Sequence, residues 1–502
     1  MVDFTAAPVP NCLFFSLPVA TMLFAMRTVT LILLASAALP LAARGIPAAA
    51  PAADNAAVSP SGAPPAADNA AVVPSGVPPA ADNGAAVPRV SFVEAVRAAL
   101  TRGREARLAE QDVRITAQGR DRARARYLPR VDAGADFTTL SEPPSVLIQG
   151  NEVQTIDQNV TRARVTAAQT IYDFGKTSSR VSQAEARIDT TAGQAEATRS
   201  RLAVDAIAAF LSAKRAEELM SVAEESLATA RDYRKVANDQ YELGVVAKND
   251  VLAADVQVAN AEAALIVSEN QLELARSRLA LRMGYPGDRT VVPEAGEFAV
   301  PPEPVPSQED SLKAAMEKRP EIRAQAAFVR EGEATADSAR AEYAPTLFGQ
   351  GGYSYETNSF NPFKSVFSLV VGGTVNLFAG GGDAAARREA LLTVDRRKES
   401  LALLRDEIAL SVKSAHLAMA EAEKKKAVAG VAVARADENL RIQNDRYKEG
   451  LAISTEVLDA QTLLTRAKVD LRNAAYDLFE ARYLLLYVRG ELLEFLRPLL
   501  AP

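Results

Sequence analysis

Apolar and polar residues alternate along two segments of the chain, in the pattern of a strand with one apolar face. In the segment 366–378, Ser368, Gly372, Thr374 and Asn376 are interleaved with apolar residues, namely Phe367, Leu369, Val371, Val375 and Leu377. The segment 160–174 has the same period, with apolar side chains at Ala163, Val165, Ala167 and Ile171. A period of two predicts a half-buried strand. A weaker strand segment precedes each of these two segments. We therefore expect β-hairpins at about 128–174 and 344–378.

Two very long helices are expected after these hairpins, at about 177–240 and 383–446. Neither segment contains proline, and at 1.5 Å per residue a 64-residue helix is about 96 Å long, which is the scale of a coiled coil. A glycine-containing turn follows each, and shorter helices return at about 250–284 and 455–490.

Two further features concern the shorter helices. In the returning helix at 250–284, Leu252, Val256, Ala259 and Ala263 are spaced by four and three residues, which is typical of a coiled-coil seam. Helical segments at 91–126 and 308–342 precede the hairpins and stop at Tyr-x-Pro, because proline removes a helix donor. The two shorter helices of each unit together match the long one, so we expect them to lie beside it end to end.

The chain is an internal duplication. A shift of 206 residues places Tyr241 on Tyr447 and Gly244 on Gly450, and this register holds without a gap from 171 to 284. We place the first repeat at 91–286 and the second at 308–495. The first repeat has about ten extra residues between 130 and 170, which we expect in a loop.

The remaining segments lie outside the repeats. Residues 1–43 resemble an N-terminal extension with a signal peptide, because Met26-Arg27 precedes a short apolar run and small residues. Residues 44–90 form an Ala/Pro-rich spacer in which Pro-Ala-Ala-Asp-Asn recurs three times, and such a composition predicts disorder. Residues 287–307 link the repeats, and 496–502 form a tail.

Composition excludes several kinds of chemistry. The 502 residues include one cysteine, Cys12, and one histidine, His416, so neither a Cys/His zinc cluster nor an intrachain disulfide is possible. The net charge of −6 argues against a nucleic-acid partner. No nucleophile–base pair is visible, so we expect neither an enzyme nor a cofactor.

Three other motifs have simple interpretations. Gly175-Lys176-Thr177 follows a strand, but a phosphate-binding loop needs glycine where Thr170 stands, so it predicts a strand-to-helix turn. His416 aligns with Phe210 of the first repeat, which indicates a packing position. The run at 424–426 is expected to be a solvated helix face.

The duplicated plan of helix, hairpin, long helix, turn and helix resembles the TolC family of outer-membrane efflux proteins over about 91–495. The most specific residues are Tyr447-Lys-Glu-Gly450 followed by Thr455-Glu456-Val-Leu-Asp459-Ala, with the sister copy at 241–251. The resemblance implies a mainly α fold with four transmembrane strands per chain. A homotrimer would then close a 12-stranded barrel in the outer membrane of a Gram-negative bacterium, above a periplasmic α-helical tunnel.

The same resemblance implies partners and sites. The partners would be outer-membrane lipid, a periplasmic adaptor and an inner-membrane pump of RND or ABC type. An acidic ring at the periplasmic entrance falls on Glu456 and Asp459, three residues apart on one helix face. An entrance latch falls on Tyr447 and Asp250, whereas the latch arginine of the family is replaced by Ala452. The adaptor would dock at the helix tips, Gly244, Val245, Gly450 and Leu451.

Two functions and one rival remain open at this point. The chain could export small toxic compounds or secrete polypeptides in one step (type I secretion), because the pump would choose the substrate. The rival is a periplasmic coiled-coil scaffold without a pore, in which the strands would have no role. Each carboxylate of the ring could also be an ordinary solvated side chain, and Tyr447 could simply pack in the core.

Overall fold

The computed structural model describes residues 88–294, 301 and 305–500. The signal peptide, nearly all of the Ala/Pro-rich spacer and part of the linker between the repeats therefore lie outside the described residues. Within them, helices dominate, and one antiparallel sheet contains four of the eight strands, including the four longest.

The helices repeat in the order that the duplication predicts. They are α1 (Phe92–Arg102), α2 (Arg104–Arg124), α3 (Lys176–Glu242), α4 (Lys248–Arg282), α5 (Gln308–Lys318), α6 (Pro320–Ala341), α7 (Gly382–Lys448), α8 (Ser454–Val488) and α9 (Leu492–Leu500). A short 3₁₀ turn at Ala125–Tyr127 extends α2. The long helices α3 and α7 each contain 67 residues, and the returning helices α4 and α8 each contain 35. The predicted lengths are thus confirmed to within a few residues at each end.

Each long helix is covered by shorter ones. Helix α3 packs against α1, α2 and α4, and helix α7 packs against α5, α6 and α8. The two repeats join because α3 also packs against α6 and α8. The end-to-end arrangement of the shorter helices along the long one is therefore confirmed.

The first helical segment of each repeat is broken, which the sequence analysis did not anticipate. In the first repeat the break is at Gly103, where an added Cβ would lie 2.2 Å from the carbonyl oxygen of Ala99. In the second it is at Arg319, whose extended backbone precedes Pro320 at the first position of α6. The glycine and the proline were the signals for these breaks.

A glycine at the end of each returning helix packs against the break. An added Cβ on Gly284 would lie 2.7 Å from the carbonyl oxygen of Arg102, and one on Gly490 would lie 3.0 Å from the backbone nitrogen of Arg319. Both glycines have positive φ, at 86° and 75°. The two repeats therefore use equivalent glycines, 206 residues apart, to bring two backbone segments close together.

The main sheet has four antiparallel strands in the order β2-β5-β7-β8. The strands of the chain are β1 (Arg89–Val90), β2 (Arg130–Thr139), β3 (Ser145–Ile148), β4 (Asn151–Gln154), β5 (Asn159–Tyr172), β6 (Val292–Pro293), β7 (Thr346–Glu356) and β8 (Ser365–Thr374). Each repeat contributes one hairpin, and β5 pairs with β7 across the repeats. Val375 and Leu377, predicted to continue the last strand, lie beyond its end.

Other short strands lie outside this sheet. The extra residues of the first repeat form a hairpin of β3 and β4 rather than an unstructured loop. Strands β1 and β6 form a parallel pair, which holds Arg89–Val90, at the end of the predicted spacer, against Val292–Pro293 of the linker. Helix α9 occupies most of the predicted C-terminal tail and packs against α1, α3 and α8.

The two faces of the main sheet differ in polarity. One face carries apolar and aromatic side chains from all four strands, including Val131, Phe137, Val165, Tyr353, Phe367, Leu369 and Val371. Leu369 and Val371 are each 72% exposed. The opposite face carries ion pairs between strands, such as Arg162 with Glu356 at 3.2 Å and Arg164 with Asp136 at 3.4 Å. The predicted alternation of strands is confirmed, with the apolar face uncovered.

The largest apolar core lies where both repeats meet, around the middle of α3. Phe92 of α1, Phe210 of α3 and Tyr483 of α8 are almost fully buried there, and their rings contact one another. His416, the counterpart of Phe210, lies instead beside α5, where its Nε2 is 2.9 Å from the Ser311 hydroxyl. It is a packing position, but a polar one.

Candidate functional site

The turns that join the long helices to the returning helices have the same backbone geometry in both repeats. Gly244 and Gly450 have φ of 74° and 73°. In the first turn the Val245 N–H donates to the Gln240 carbonyl at 2.9 Å, and in the second the Leu451 N–H donates to the Arg446 carbonyl at 2.8 Å. These bonds close a Schellman motif, which requires a left-handed residue that glycine adopts most easily.

Apolar side chains project from these turns into solvent. Leu243 and Val245 are 79% and 61% exposed in the first turn, and Leu451 and Ile453 are each 65% exposed in the second. Apolar side chains exposed close together in this way are typical of an interaction surface, whereas single exposed ones are ordinary. Val245 and Leu451 were predicted from the sequence as helix-tip residues, and the structure adds Leu243 and Ile453 to them.

A small apolar core lies directly behind the turns. It combines residues from both long helices and both returning helices, namely Tyr233, Ala237, Ala254, Leu440, Tyr447, Val457, Ala460 and Leu464. Because all four helices contribute, a movement of one helix hairpin relative to the other must disrupt this core. It will be called the tip core.

The two acidic residues predicted for the entrance lie on the outer face of α8. Glu456 and Asp459 are exposed, whereas Val457 and Ala460 between and beside them face the tip core. The spacing of three residues therefore places both carboxylates on one solvent-facing side, as predicted.

Arg446 is a charged neighbour that the sequence analysis missed. Its guanidinium donates to the Leu451 carbonyl at 3.2 Å and lies 3.9 Å from the Glu456 carboxylate. The sister position in the first repeat is Gln240, so only the second turn has this tie. The latch arginine of the family falls on Ala452, so in this chain the guanidinium at the second turn is supplied by Arg446, at the end of α7.

The predicted latch residues lie in the same region, but no hydrogen bond joins them in this structure. Tyr447 is 4% exposed, and among the described residues its hydroxyl has no partner with hydrogen-bond geometry, because the neighbouring Tyr233 hydroxyl donates to Ser454. The Asp250 carboxylate instead accepts from the Ala247 N–H at 3.3 Å, at the start of α4. Burial raises the pKa of the Tyr447 phenol, and the charge of nearby Asp250 adds to this effect.

A different bond connects the two repeats at this point. The hydroxyl of Tyr233, on α3, donates to the Ser454 hydroxyl, on α8, at 2.8 Å. Both residues are at least 95% buried, and the Tyr233 ring lies 5.4 Å from the Tyr447 ring. Burial raises the pKa of Tyr233 as well. Tyr233 has Asn439 at its sister position, so the duplication gave no signal for this contact.

The other motifs have structural roles. Gly175 has a φ of 100° at the start of α3, where the Asp173 carboxylate accepts from the Thr177 N–H at 2.8 Å. The motif is therefore the predicted strand-to-helix turn. Lys425 pairs with Glu421 at 2.6 Å on an exposed face of α7, as expected of solvated charges.

Aromatic side chains mark both ends of the main sheet. At the end near the helices Tyr127, Tyr172, Phe174 and Tyr343 are exposed, and towards the opposite end Phe137, Tyr353, Tyr355 and Phe367 are exposed. An apolar band between two aromatic rows is typical of strands that span an outer membrane.

Comparison with known proteins agrees with this geometry. The family model described as outer membrane efflux protein matches residues 95–285 and 311–488, which correspond to the two repeats. No curated protein sequence matches the chain significantly.

Solved structures with the same fold cover most of the chain. A membrane protein from Pseudomonas aeruginosa gives a TM-score of 0.71 at 18% identity, over 80% of this chain and 91% of that one. The CmeC outer membrane channel of Campylobacter jejuni gives 0.68 at 14% identity, over 80% and 86%. The open state of the MtrE outer membrane channel of Neisseria gonorrhoeae gives 0.66 at 21% identity, over 80% and 89%.

At these identities the solved structures establish the fold, and the family model, which covers both repeats, establishes the relationship. The long paired helices, the four-stranded sheet with its uncovered apolar face and the duplicated architecture all agree with it. The chain belongs to the outer membrane efflux protein family and is an outer-membrane channel.

Proposed function

We propose that three copies of this chain close one barrel and form the exit duct of a tripartite export system. The observation that carries this proposal is the four-stranded sheet, in which β2 and β8 each pair with a single neighbour. An open strand edge is not tolerated in lipid, so these edges must pair with other copies. Two copies would give eight strands, whose interior is filled by side chains, whereas three give twelve and leave room for a lumen.

The uncovered apolar face of the sheet is the surface expected to contact lipid. A scaffold in the periplasm would expose Phe367, Leu369 and Val371 to water, where such a broad apolar patch would promote aggregation. The rival scaffold function is therefore not favoured, because it leaves this face without a partner. In the closed barrel the opposite face, with its ion pairs, lines the lumen.

Exposed apolar stripes on the helices support the trimer independently. On α7, Leu403, Leu410 and Leu417 are spaced by seven residues and each is at least 60% exposed. A heptad spacing is the mark of a coiled-coil seam, yet none of the described helices of the same chain covers this one. The free side of α7 therefore needs a helix from another copy.

The matching surface is on α2 and α4. The predicted seam of α4 faces away from the chain, with Leu252 and Val256 53% and 60% exposed. Val267, Leu274 and Leu281, which are seven residues apart from one another, continue the exposed apolar surface towards the end of the helix. By length and composition, α4 is the one described helix that could cross a membrane, but we assign its apolar surface to α7 of a neighbouring copy. Leu108 and Ile115 of α2 extend the surface along the rest of α7.

The helix tips would form the periplasmic end of the duct. Three-fold symmetry would place six carboxylates, from Glu456 and Asp459, around one axis, and like charges so close together attract cations. The exposed apolar side chains at Gly244-Val245 and Gly450-Leu451 are the proposed docking surface for a periplasmic adaptor, which would connect the duct to an inner-membrane pump. Tyr447 and Asp250 are the proposed latch residues in a state of the entrance that differs from this one.

The proposed substrates are compounds that the pump delivers, and no reaction takes place in the duct. The family description favours efflux, while secretion of polypeptides remains the second version. A gene for a proton-driven pump beside this one would favour efflux, and a gene for an ATP-driven exporter would favour secretion.

Conductance in planar bilayers tests the duct and its entrance together. The wild-type protein should have the mass of three chains and give discrete, cation-selective steps. Glu456→Gln/Asp459→Asn should lose part of this selectivity. The matched control is Asp239→Asn/Glu242→Gln, because these exposed residues of α3 have the same spacing near the tip of the other hairpin. If both double variants lose the same amount of cation selectivity, the acidic ring is rejected. If the folded protein never inserts into the bilayer, the duct itself is rejected.

A further inference from the structure

A basic cavity lies at the junction of the sheet and the long helices, far from the acidic tips. Its volume is about 1010 Å³. Five cations line it, namely Arg122, Arg126, Arg130, Lys176 and Arg180, against two carboxylates, Asp173 and Glu342. It will be called the basic cavity.

Most of the charges in the basic cavity are already paired. Glu342 is shared by Lys176 and Arg180, at 3.3 Å from each. Arg130 pairs with Asp132 at 3.0 Å, and Asp173 caps α3. These contacts leave an excess of positive charge that the residues described in the structure do not neutralise.

Arg122 and Arg126 carry that excess. Arg122 lies in the last turn of α2 and Arg126 in the 3₁₀ turn that follows it, and both line the cavity. No carboxylate in the described part of the chain pairs with either. The alternate arginines differ, because Arg120 pairs with Asp121 and Arg124 pairs with Glu185. The guanidinium groups that line the cavity thus stay unpaired within the described part of the chain, while Arg120 and Arg124 are neutralised. Arg122 follows Ile115 by seven residues, so it lies where the cavity borders the α2 surface assigned above to a neighbouring copy.

A helix C-terminus favours cations through its dipole, but that effect does not explain this distribution. Paired arginines such as Arg124 would satisfy it equally well.

The strand residues that line the basic cavity identify its side of the sheet. Ala168 pairs with Arg130, and Thr170 pairs with Phe348. Residues directly opposite in an antiparallel ladder point to the same face, and these lie on the face opposite Leu369. The basic cavity therefore opens on the polar face, which lines the lumen once the barrel is closed.

We propose that Arg122 and Arg126 form a luminal binding site for anionic substrates, bearing a phosphate, sulfate or carboxylate group, at the base of the barrel. A guanidinium donates two parallel hydrogen bonds to such a group. The half-buried Phe348 in the cavity wall adds an apolar surface for amphiphilic anions. The luminal placement rests on the proposed barrel, in which three such sites would follow the acidic entrance along the export path.

Binding of tripolyphosphate tests this site directly. Isothermal titration calorimetry would use the full-length protein in neutral detergent at low ionic strength. Arg122→Gln/Arg126→Gln should weaken binding by about tenfold or more, because each lost charge-assisted bond is worth more than one ordinary hydrogen bond. Arg122→Lys/Arg126→Lys retains the charge but loses the paired hydrogen bonds, so its affinity should lie between those of the wild type and the glutamine variant, and this variant also controls for misfolding.

The matched control is Arg120→Gln/Arg124→Gln, which removes the same charge from the same helix but outside the cavity. Equal weakening in both glutamine variants would show non-specific attraction to the basic helix and would overturn the proposal. Absence of binding by the wild-type protein would also overturn it.

Experiments in membranes distinguish the two possible ligands of this site, a free anion in the lumen and the headgroup of a lipid. In phosphatidylcholine bilayers, tripolyphosphate should reduce the wild-type current and leave the current of Arg122→Gln/Arg126→Gln nearly unchanged. If phosphatidylglycerol in nanodiscs displaces tripolyphosphate, the site binds headgroups and the luminal assignment is wrong. If the wild-type protein gives discrete current steps but tripolyphosphate never changes them, the proposed duct is supported and the proposed luminal site is rejected.

Discussion

Two neighbouring tyrosines of the tip core, Tyr233 and Tyr447, should respond in opposite ways when each is replaced by phenylalanine. Tyr233→Phe removes the 2.8 Å bond to Ser454, in a site where both residues are at least 95% buried. A net hydrogen bond is worth about 1 kcal/mol, and a partner left unsatisfied raises the loss to about 1–2 kcal/mol. Tyr447→Phe removes a buried hydroxyl that has no partner, so it should cost nothing or stabilise the tip core slightly.

Amide hydrogen exchange measured by mass spectrometry is the appropriate assay, because it reports local opening without unfolding the whole assembly. A loss of 1–2 kcal/mol corresponds to about 5–30-fold faster exchange. We expect that acceleration in peptides covering the two turns for Tyr233→Phe. For Tyr447→Phe we expect unchanged or slower exchange, and for the exposed control Tyr241→Phe we expect no change.

One result would refute this reasoning and favour the latch instead. If Tyr447→Phe accelerates exchange at the turns as much as Tyr233→Phe does, then the Tyr447 hydroxyl is bonded in the dominant state, and Asp250, whose charge acts on it, is the expected partner. Asp250→Asn should then give the same acceleration, and the tie between Tyr233 and Ser454 would be secondary.

Three further predictions concern other parts of the chain. Gly450→Ala should destabilise the second turn by about 1 kcal/mol because its φ is 73°, whereas Gly430→Ala within α7 should stabilise by about 0.5–1 kcal/mol, and exchange rates should therefore shift in opposite directions. Burial and then the charge of Arg489 lower the pKa of His416, so the folded state favours the neutral ring and loses stability as pH falls below about 6.5; a thermal melt at pH 5 and pH 7.5 should show this loss, and His416→Gln should remove part of it. Leu369→Asp on the apolar face should reduce membrane assembly in a heat-modifiability assay, while Ser368→Asp on the polar face should be tolerated, and equal effects would contradict the assignment of the faces.

Much of the architecture was predictable because it depends on local periodicity. The absence of proline over more than sixty residues, the glycines at 244 and 450 and the alternation around 367–371 are properties of short sequence windows. Their repetition at a spacing of 206 residues doubled the weight of each signal. The same windows predicted which side of α8 carries Glu456 and Asp459, because a spacing of three residues determines a helix face.

Other features were not visible because they depend on which helices meet. The seam through Leu252 and Val256 was recognised as apolar, but periodicity cannot say whether the partner is in the same chain or in another. Position 233 differs between the repeats, so the bond to Ser454 had no sister from which to be inferred. Likewise, only pairing across the strands showed that the basic cavity opens on the polar face of the sheet.

The sequence by itself determined the elements, their order and their duplication, because helix and strand periods, glycine turns and proline breaks act over a few residues. The tertiary structure decided which buried hydroxyl is bonded, which arginines remain unpaired and which apolar faces stay uncovered. Those properties depend on distances between residues that are far apart in the chain, and hydrogen bonds and ion pairs act over only a few ångströms.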